Sequence, residues 1–389
     1  MSESSEGRQG AQEAADGIRA RRITALRAVR RRVGGNALHA PVGDRLRHLL
    51  EHGPDAYDLD QPADLYGDRI VETLEERVAG LLGKEGAVFF PTGTMAQQVA
   101  LRCWAGRTGN ATVALHPLSH PEVHERDALG AVSGLRTVHP TMRPGLPNAQ
   151  EVRDLGEPFG TLMLELPLRE AGFVLPSWQE LTEVVAAARE REAVVHFDGA
   201  RLWESVPHLG HPLDEVAGLA DSVYVSFYKS LGGLGGAVLA GPGTLTEEAR
   251  IWRHRYGGQI FHQFPTVLSA LIGLDRELPR LPSYVAHARV VADAIREGFA
   301  ATGLPWARVH PQVPHTHQFQ VWLPYEAEPL EEAALRQAEE DGTCLFWHWT
   351  ASGAPGTAFT EVTVNAPGLE WTADDVKEAV ARFVARLPG

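Results

Sequence analysis

Ser226-Phe227-Tyr228-Lys229-Ser230-Leu231-Gly232-Gly233-Leu234-Gly235-Gly236 is the stretch on which both fold and chemistry turn. It follows Ser222 to Val225, an apolar run of strand length, and leads into a further strand, Gly236 to Ala240. A lysine just past a strand end, in an apolar and glycine-rich loop, is unusual. Lysine is mostly found on surfaces, and its pKa drops when it is desolvated. A neutral amine is the form that Schiff-base formation needs. The glycines allow close backbone approach to a bulky ring, or tight turns. The plainer alternative is a surface lysine in a flexible loop.

Two earlier strand ends carry comparable signals. Val195-His196-Phe197-Asp198-Gly199-Ala200-Arg201 ends a strand on an acid, with an arginine three residues later. A carboxylate there is either a structural cap or the partner of a pyridinium N–H, which keeps a heteroaromatic ring charged as an electron sink. Phe90-Pro91-Thr92-Gly93-Thr94-Met95 reads as strand, turn and helix start. Backbone N–H groups at a helix start, with the Thr94 hydroxyl, can hold a phosphate. A bare N-cap explains the same residues and is the commoner case. Ligands in open α/β sheets bind beyond the carboxyl ends of strands, so the three ends belong to one crevice.

Further strands are expected at Thr112 to Leu115 and Thr161 to Leu164. Helices are expected from Glu72 to Leu82, from Met95 to Trp104 and from Ser177 to about Glu190. Short apolar strands alternating with helices predict an α/β fold: a mostly parallel sheet, buried by helices on both faces. After Phe264 the pattern changes. Helices near 265–278, 282–301, 330–340 and 372–386, with strands 317–323 and 361–365, predict a smaller α+β C-terminal domain. Before the sheet, a basic amphipathic helix is expected from Ile18 to Val33. Residues 52–68, rich in Gly, Pro, Asp and Tyr, read as loop.

Of 389 residues, 44% are hydrophobic and 22% charged, as in soluble globular proteins. The net charge of −14 argues against a nucleic-acid surface. Seven arginines between Arg19 and Arg32 are the local exception, read as a solvated face or a subunit-contact arm. No apolar run reaches the roughly 20 residues of a membrane span. The polar start resembles no secretory signal, so the expected location is cytoplasmic. Cys103 and Cys344 are read as reduced thiols. His116, His120 and His124 recur every four residues, a possible metal face. Pro117 and Pro121 argue against a regular helix there, and no metal site is expected.

Phosphate turn, aspartate and lysine in this order, each after its own strand, resemble the threonine aldolase and β-eliminating lyase family. The stretches that carry the resemblance are Tyr66-Gly67 with Leu74-Glu75-Glu76-Arg77-Val78-Ala79, Phe90 to Ala96, Leu118-Ser119-His120, His196 to Leu202, and Lys229 with its glycines. They span about residues 60 to 275. The resemblance implies the aspartate-aminotransferase-like fold (fold type I) and pyridoxal 5'-phosphate as cofactor. It implies that Gly93 and Thr94 hold the phosphate, with Ser226 as a further phosphate contact by analogy with related folds. His120 would stack on the ring and serve as, or orient, an acid/base group. Asp198 would pair with the ring nitrogen, Arg201 with the substrate carboxylate or the phenolic oxygen, and Lys229 would carry the cofactor as a Schiff base. A homodimer or homotetramer is implied, and Arg255-Tyr256-Gly257-Gly258 resembles the region where a neighbouring subunit approaches the cofactor. The expected division is a disordered tail (1–17), a helical arm (18–45), a large cofactor-binding domain (46–275) and the small domain (276–389).

The expected activity is retro-aldol Cα–Cβ cleavage of a β-hydroxy amino acid to glycine and an aldehyde. Three departures keep other chemistry in view. The family's Ser-Asp-Thr segment near the N-terminus is missing, Gly34 to Pro41 standing in its place. Glu361 falls about where the family has an arginine for the substrate carboxylate. Glu165-Leu166-Pro167 replaces the family's Glu-Asn. The rival readings are β-elimination, racemisation or transaldol transfer on another amino acid, and a cofactor-binding protein without turnover.

Overall fold

The computed structural model describes residue 17 and residues 20–34 and 40–388. The expected tail lies outside the described residues apart from Gly17, as do residues 35–39 of the Gly34–Pro41 stretch. The chain forms two compact units, Val42–Pro282, and Met1–Pro41 with Ser283–Gly389. Among the described residues no helix is long and apolar enough to cross a membrane.

The unit Val42–Pro282 is built on a seven-stranded sheet. Its strands are β1 (Gly86–Phe90), β2 (Thr112–Ala114), β3 (Arg136–Val138), β4 (Thr161–Glu165), β5 (Val194–Gly199), β6 (Ser222–Ser226) and β7 (Ala237–Gly241). They lie in the order β1-β7-β6-β5-β4-β2-β3. Neighbours from β6 through β3 pair in parallel, while β7 runs antiparallel to both β6 and β1. Every residue of β4, β6 and β7 is buried. Successive side chains point to opposite faces, so both faces must be covered. This is why these strands read as continuous apolar runs.

The helices of this unit include α1 (Val42–Ala56), α2 (Ile70–Leu81), α3 (Gly93–Thr108), α4 (Trp178–Glu190), α5 (Gly243–Arg255) and α6 (Phe264–Arg276). One core cluster joins β1 and β7 to α3 and α5 through Val88, Phe90, Val99, Leu239 and Leu245. Two expectations are corrected here. The loop expected from 52 begins only after Ala56. Pro54 sits in the last turn of α1, where it forfeits one helical bond, and Tyr57 N–H still reaches the Gly53 carbonyl at 2.9 Å. A short helix also forms at His120–His124, with Pro121 in its first turn, where proline's missing N–H has no helical partner to lose.

The other unit has a four-stranded antiparallel sheet of β8 (Arg308–His310), β9 (Gln318–Leu323), β10 (Thr350–Ala351) and β11 (Ala358–Thr363), in the order β10-β11-β9-β8. With it go α7 (Leu281–Ala300), α8 (Ala327–Asp341) and α9 (Ala373–Val384). The helix expected to reach Val33 stops at Ala28. After Val29 and Arg30 it gives way to a two-residue strand, Arg31–Arg32, parallel to Thr343–Cys344. Ala25, Leu26 and Val29 bury against Leu335, Ala338 and Cys344, which is why this basic segment belongs with the C-terminal residues. Its arginines are matched by acids: Arg21 with Glu332 and Glu339, Arg22 with Glu331, and Arg31 with Asp375. These pairs are largely surface pairs, each worth little, so apolar packing carries the attachment.

Candidate active site

The crossovers of a parallel sheet bring the carboxyl ends of β4, β5 and β6 to one side. The turn from β1 into α3 lies there too. Thr92 caps α3, its side-chain oxygen accepting from Met95 N–H at 3.2 Å. Gly93 follows because no other residue fits: a Cβ there would fall 2.1 Å from the Tyr224 hydroxyl. Together these residues leave a cleft of about 260 Å³ lined by Thr92, Gly93, Thr94, His120, Asp198 and Lys229, among others.

Asp198 ends β5 with only 2% of its surface exposed, and its side chain accepts from Ala200 N–H at 3.1 Å. In the sheet it pairs with Glu165 on one side and Tyr224 on the other. Burial raises its carboxyl above the usual range, and the charges of Lys229 and His120 oppose that rise. Glu165 is also buried and is pushed up to about 7, first by burial and then by the neighbouring Asp198 charge. It accepts from the backbone N–H of His120 at 2.6 Å and of Arg169 at 3.1 Å, so it ties two loops to the end of β4.

Lys229 enters from the loop after β6. Burial, and then the Arg201 guanidinium, lower its amine to about 8. His120 stands on the wall with Nδ1 3.2 Å from Glu125 Oε1. Gln97, on α3, binds His196 Nε2 through Oε1 at 2.7 Å, while its buried Nε2 has no hydrogen-bond partner. An unsatisfied donor beside a buried carboxylate and a depressed amine suits a ligand with its own acceptors.

Gly93, Thr94, His120, Asp198 and Lys229 thus share one cleft. Arg201 and Ser226 are not among the lining residues. The Arg201 guanidinium lies over the Phe173 ring at 5.3 Å, and its buried Nε has no hydrogen-bond partner. Ser226 is fully buried at the end of β6, its carbonyl accepting from Trp203 Nε1 at 3.0 Å. Each of the three histidines has its own hydrogen-bond partner. His116 Nε2 meets the Arg143 carbonyl at 2.7 Å, and His124 Nε2 meets Glu170 at 2.8 Å. No group of three metal-type ligands occurs among the described residues.

Gln97, Glu125, Glu165, Tyr224 and Tyr228 line or support the cleft, and the sequence reading gave none of them a role there. Glu165 carried a readable signal, an acid closing an apolar strand as Asp198 does. Glu125 carried none, lying in a run with Glu122, Arg126 and Asp127 that looks like a solvated turn.

His196 yields a stability prediction. Burial lowers its imidazole to about 3, and both ring nitrogens are engaged, by Ser222 Oγ and Gln97 Oε1, at 2.7 Å each. Between about pH 6.5, its unfolded value, and pH 3 the unfolded chain binds a proton that the folded chain refuses. Stability from this group is therefore complete above pH 6.5 and falls by about 1.4 kcal/mol per pH unit below it. Urea unfolding at pH 7, 5.5 and 4.5 should show wild type losing that increment relative to His196→Gln, and parallel losses in the two proteins would refute it.

A family model described as beta-eliminating lyase matches residues 58–311. The low specificity L-threonine aldolase of Escherichia coli (strain K12) is 30% identical over 244 residues, covering 61% of this chain and 72% of that protein. A solved structure of a putative L-allo-threonine aldolase from Listeria monocytogenes is 32% identical, covers 95% of this chain and 100% of that one, and superposes with a TM-score of 0.85. A putative aromatic amino acid beta-eliminating lyase/threonine aldolase from Exiguobacterium is 34% identical over 94% of this chain and 100% of that one, with a TM-score of 0.84.

Proposed function

The chain belongs to the beta-eliminating lyase family, and we propose that it is a pyridoxal-phosphate-dependent lyase of the threonine aldolase type, cleaving a β-hydroxy amino acid to glycine and an aldehyde. One observation carries the reading: a lysine amine lowered to about 8 shares a cleft with a carboxylate that is 2% exposed. Perturbed, opposite groups of this kind cluster at reactive centres.

The residues present fit the cofactor. Lys229 would hold its aldehyde carbon and Asp198 its ring nitrogen. Gly93 and Thr94, at the start of α3, would hold its phosphate, where free backbone N–H groups favour an anion. Ser226 is the further phosphate contact in this reading, and Arg201 the contact to the phenolic oxygen or the substrate carboxylate. When bound, the cofactor accepts the electron pair released at the amino acid's α-carbon. The chain's own work is positional and protonic. Asp198, 2% exposed and so shielded from water, would supply the negative charge that pairs with the ring nitrogen. Lys229 is available as a neutral amine near pH 8. His120 faces the cleft as the base for the substrate's β-hydroxyl proton.

Product analysis tests this against the rival reactions. Glycine and an aldehyde released in equal amounts from a β-hydroxy amino acid is the expected result. Pyruvate with ammonia would make the chain a β-eliminating enzyme, and unchanged amino acids with cofactor bound would make it a non-catalytic binder.

Assembly as a homodimer or homotetramer is part of the same proposal. Val42, Leu46 and Leu50 form one stripe on α1 and are 76%, 56% and 71% exposed, more apolar surface than a lone helix face usually leaves to water. Cytoplasmic location is the companion reading, supported by two buried free thiols, Cys103 and Cys344.

A further inference from the structure

Granting His120 as the base of the proposed aldol cleavage, the structure leaves a question of which ring nitrogen works. An imidazole is a base only at the nitrogen without a proton, and the partner of the other nitrogen decides which that is. His120 Nδ1 lies 3.2 Å from Glu125 Oε1. Both residues line the cleft, but the Glu125 side chain is 1% exposed while that of His120 is 36% exposed, so the carboxylate is sheltered from water while the ring reaches it. The other Glu125 oxygen is held as well. Gln98 Nε2 donates to Oε2 at 3.3 Å, and Gln98 is oriented in turn by Ser133, whose hydroxyl donates to Gln98 Oε1 at 2.5 Å. Both residues are buried. Ser133 donates to Gln98 and Gln98 to Glu125, so the donations converge on the carboxylate, whose other oxygen is left to accept from His120 Nδ1. A second hold acts on the backbone, where Glu165 takes the His120 N–H at 2.6 Å.

We propose that Glu125 is a positioning residue for the lyase reaction: fixed by Gln98, it holds His120 in the Nδ1–H tautomer and leaves Nε2 as the basic atom facing the cleft. In the step this serves, the substrate O–H bond breaks and its proton passes to Nε2. The oxygen's electron pair becomes the aldehyde C=O, and the Cα–Cβ pair is left at the α-carbon, for which the cofactor would supply the electron sink. The imidazolium that forms has the Glu125 carboxylate at its other nitrogen, which stabilises the new charge.

Glu125→Gln separates this from a merely structural role because the replacement has the same shape. The Gln98 amide donor requires the oxygen of the new carboxamide to face it. That turns the NH2 toward His120 Nδ1, which must then accept, and the proton moves to Nε2. The test uses the full chain labelled with 15N-histidine, cofactor-free and loaded with pyridoxal phosphate, at pH 8. Long-range proton–nitrogen spectra read the tautomer, with His120 assigned by its loss in His120→Asn. The expected result is Nδ1–H in wild type and Nε2–H in E125Q. With it, kcat falls on the order of 100-fold or more, KM changes by less than about threefold, and the cofactor's absorption is retained. Adding Gln98→Leu to E125Q frees the carboxamide to turn, and should restore Nδ1–H with at least about tenfold of the lost kcat. An Nε2–H tautomer in wild type overturns the proposal whether or not the variants fold, and so does E125Q with kcat within twofold of wild type. The cofactor-free spectrum needs no turnover, so a failure of the aldolase reading itself would show separately, as wild-type protein that cleaves nothing.

Discussion

The chain carrying Lys229→Ala develops no absorption band beyond that of free pyridoxal phosphate when the cofactor is added, and it loses at least about a thousandfold in turnover of any amino acid substrate. The size of the effect follows from the position. Among the described residues no other lysine lines the cleft, so no second amine can replace it. The wild-type amine adds a pH signature. Burial lowers it to about 8 from its ordinary value near 10.5. The neutral form is the reactive one, so the rate of cofactor capture by cofactor-free protein should rise about tenfold per unit below pH 8 and flatten above it. An ordinary surface lysine would keep the rate rising through pH 9 and 10. Stopped-flow absorbance across pH 6 to 10 reads the difference directly, and a rate still climbing at pH 10 would contradict the burial-lowered amine.

Asp198→Asn should lower kcat by about 100- to 1000-fold, the range associated with losing one preorganised electrostatic contact, about 2.7–4 kcal/mol. The amide is the same shape and still reaches the cleft, but it carries no negative charge to keep a ring nitrogen protonated. Stability should move the other way. The fold disfavours the charged carboxylate, raising its pKa through burial, so the neutral amide costs less to bury and the unfolding midpoint should hold or rise. Loss of turnover together with a lower midpoint would instead mean that Asp198 is mainly structural, a cap on the Asp198–Ala200 turn.

Asp198 and Lys229 were legible because each breaks a local pattern. A charged residue directly after an apolar strand, with glycines beside it, has no packing reason to be there. Gly93 was legible as a turn, but its real constraint, the Tyr224 hydroxyl above it, comes from a strand about 130 residues away in the chain and could not be seen locally. The last turn of α1 was read as loop because Gly53, Pro54 and Asp55 have loop composition. Its last turn survives because a proline there sacrifices a single bond. The Ile18–Val33 helix was drawn too long because the apolar spacing persists through Val33, while burial of Val29 and strand pairing at Arg31–Arg32 redirect the backbone.

The sequence by itself determined the α/β class, the strand ends and the order of glycine turn, aspartate and lysine, since apolar periodicity and turn residues act within a few neighbours along the chain. Tertiary structure alone decided that Glu165 lies beside Asp198, that Glu125 meets His120 Nδ1 and that the basic segment joins the C-terminal residues. Those facts depend on which strands share hydrogen bonds and on how much water each group loses. Sheet register and desolvation are set by residues far apart in sequence, and the same loss of water is what turns an ordinary amine into a reactive one.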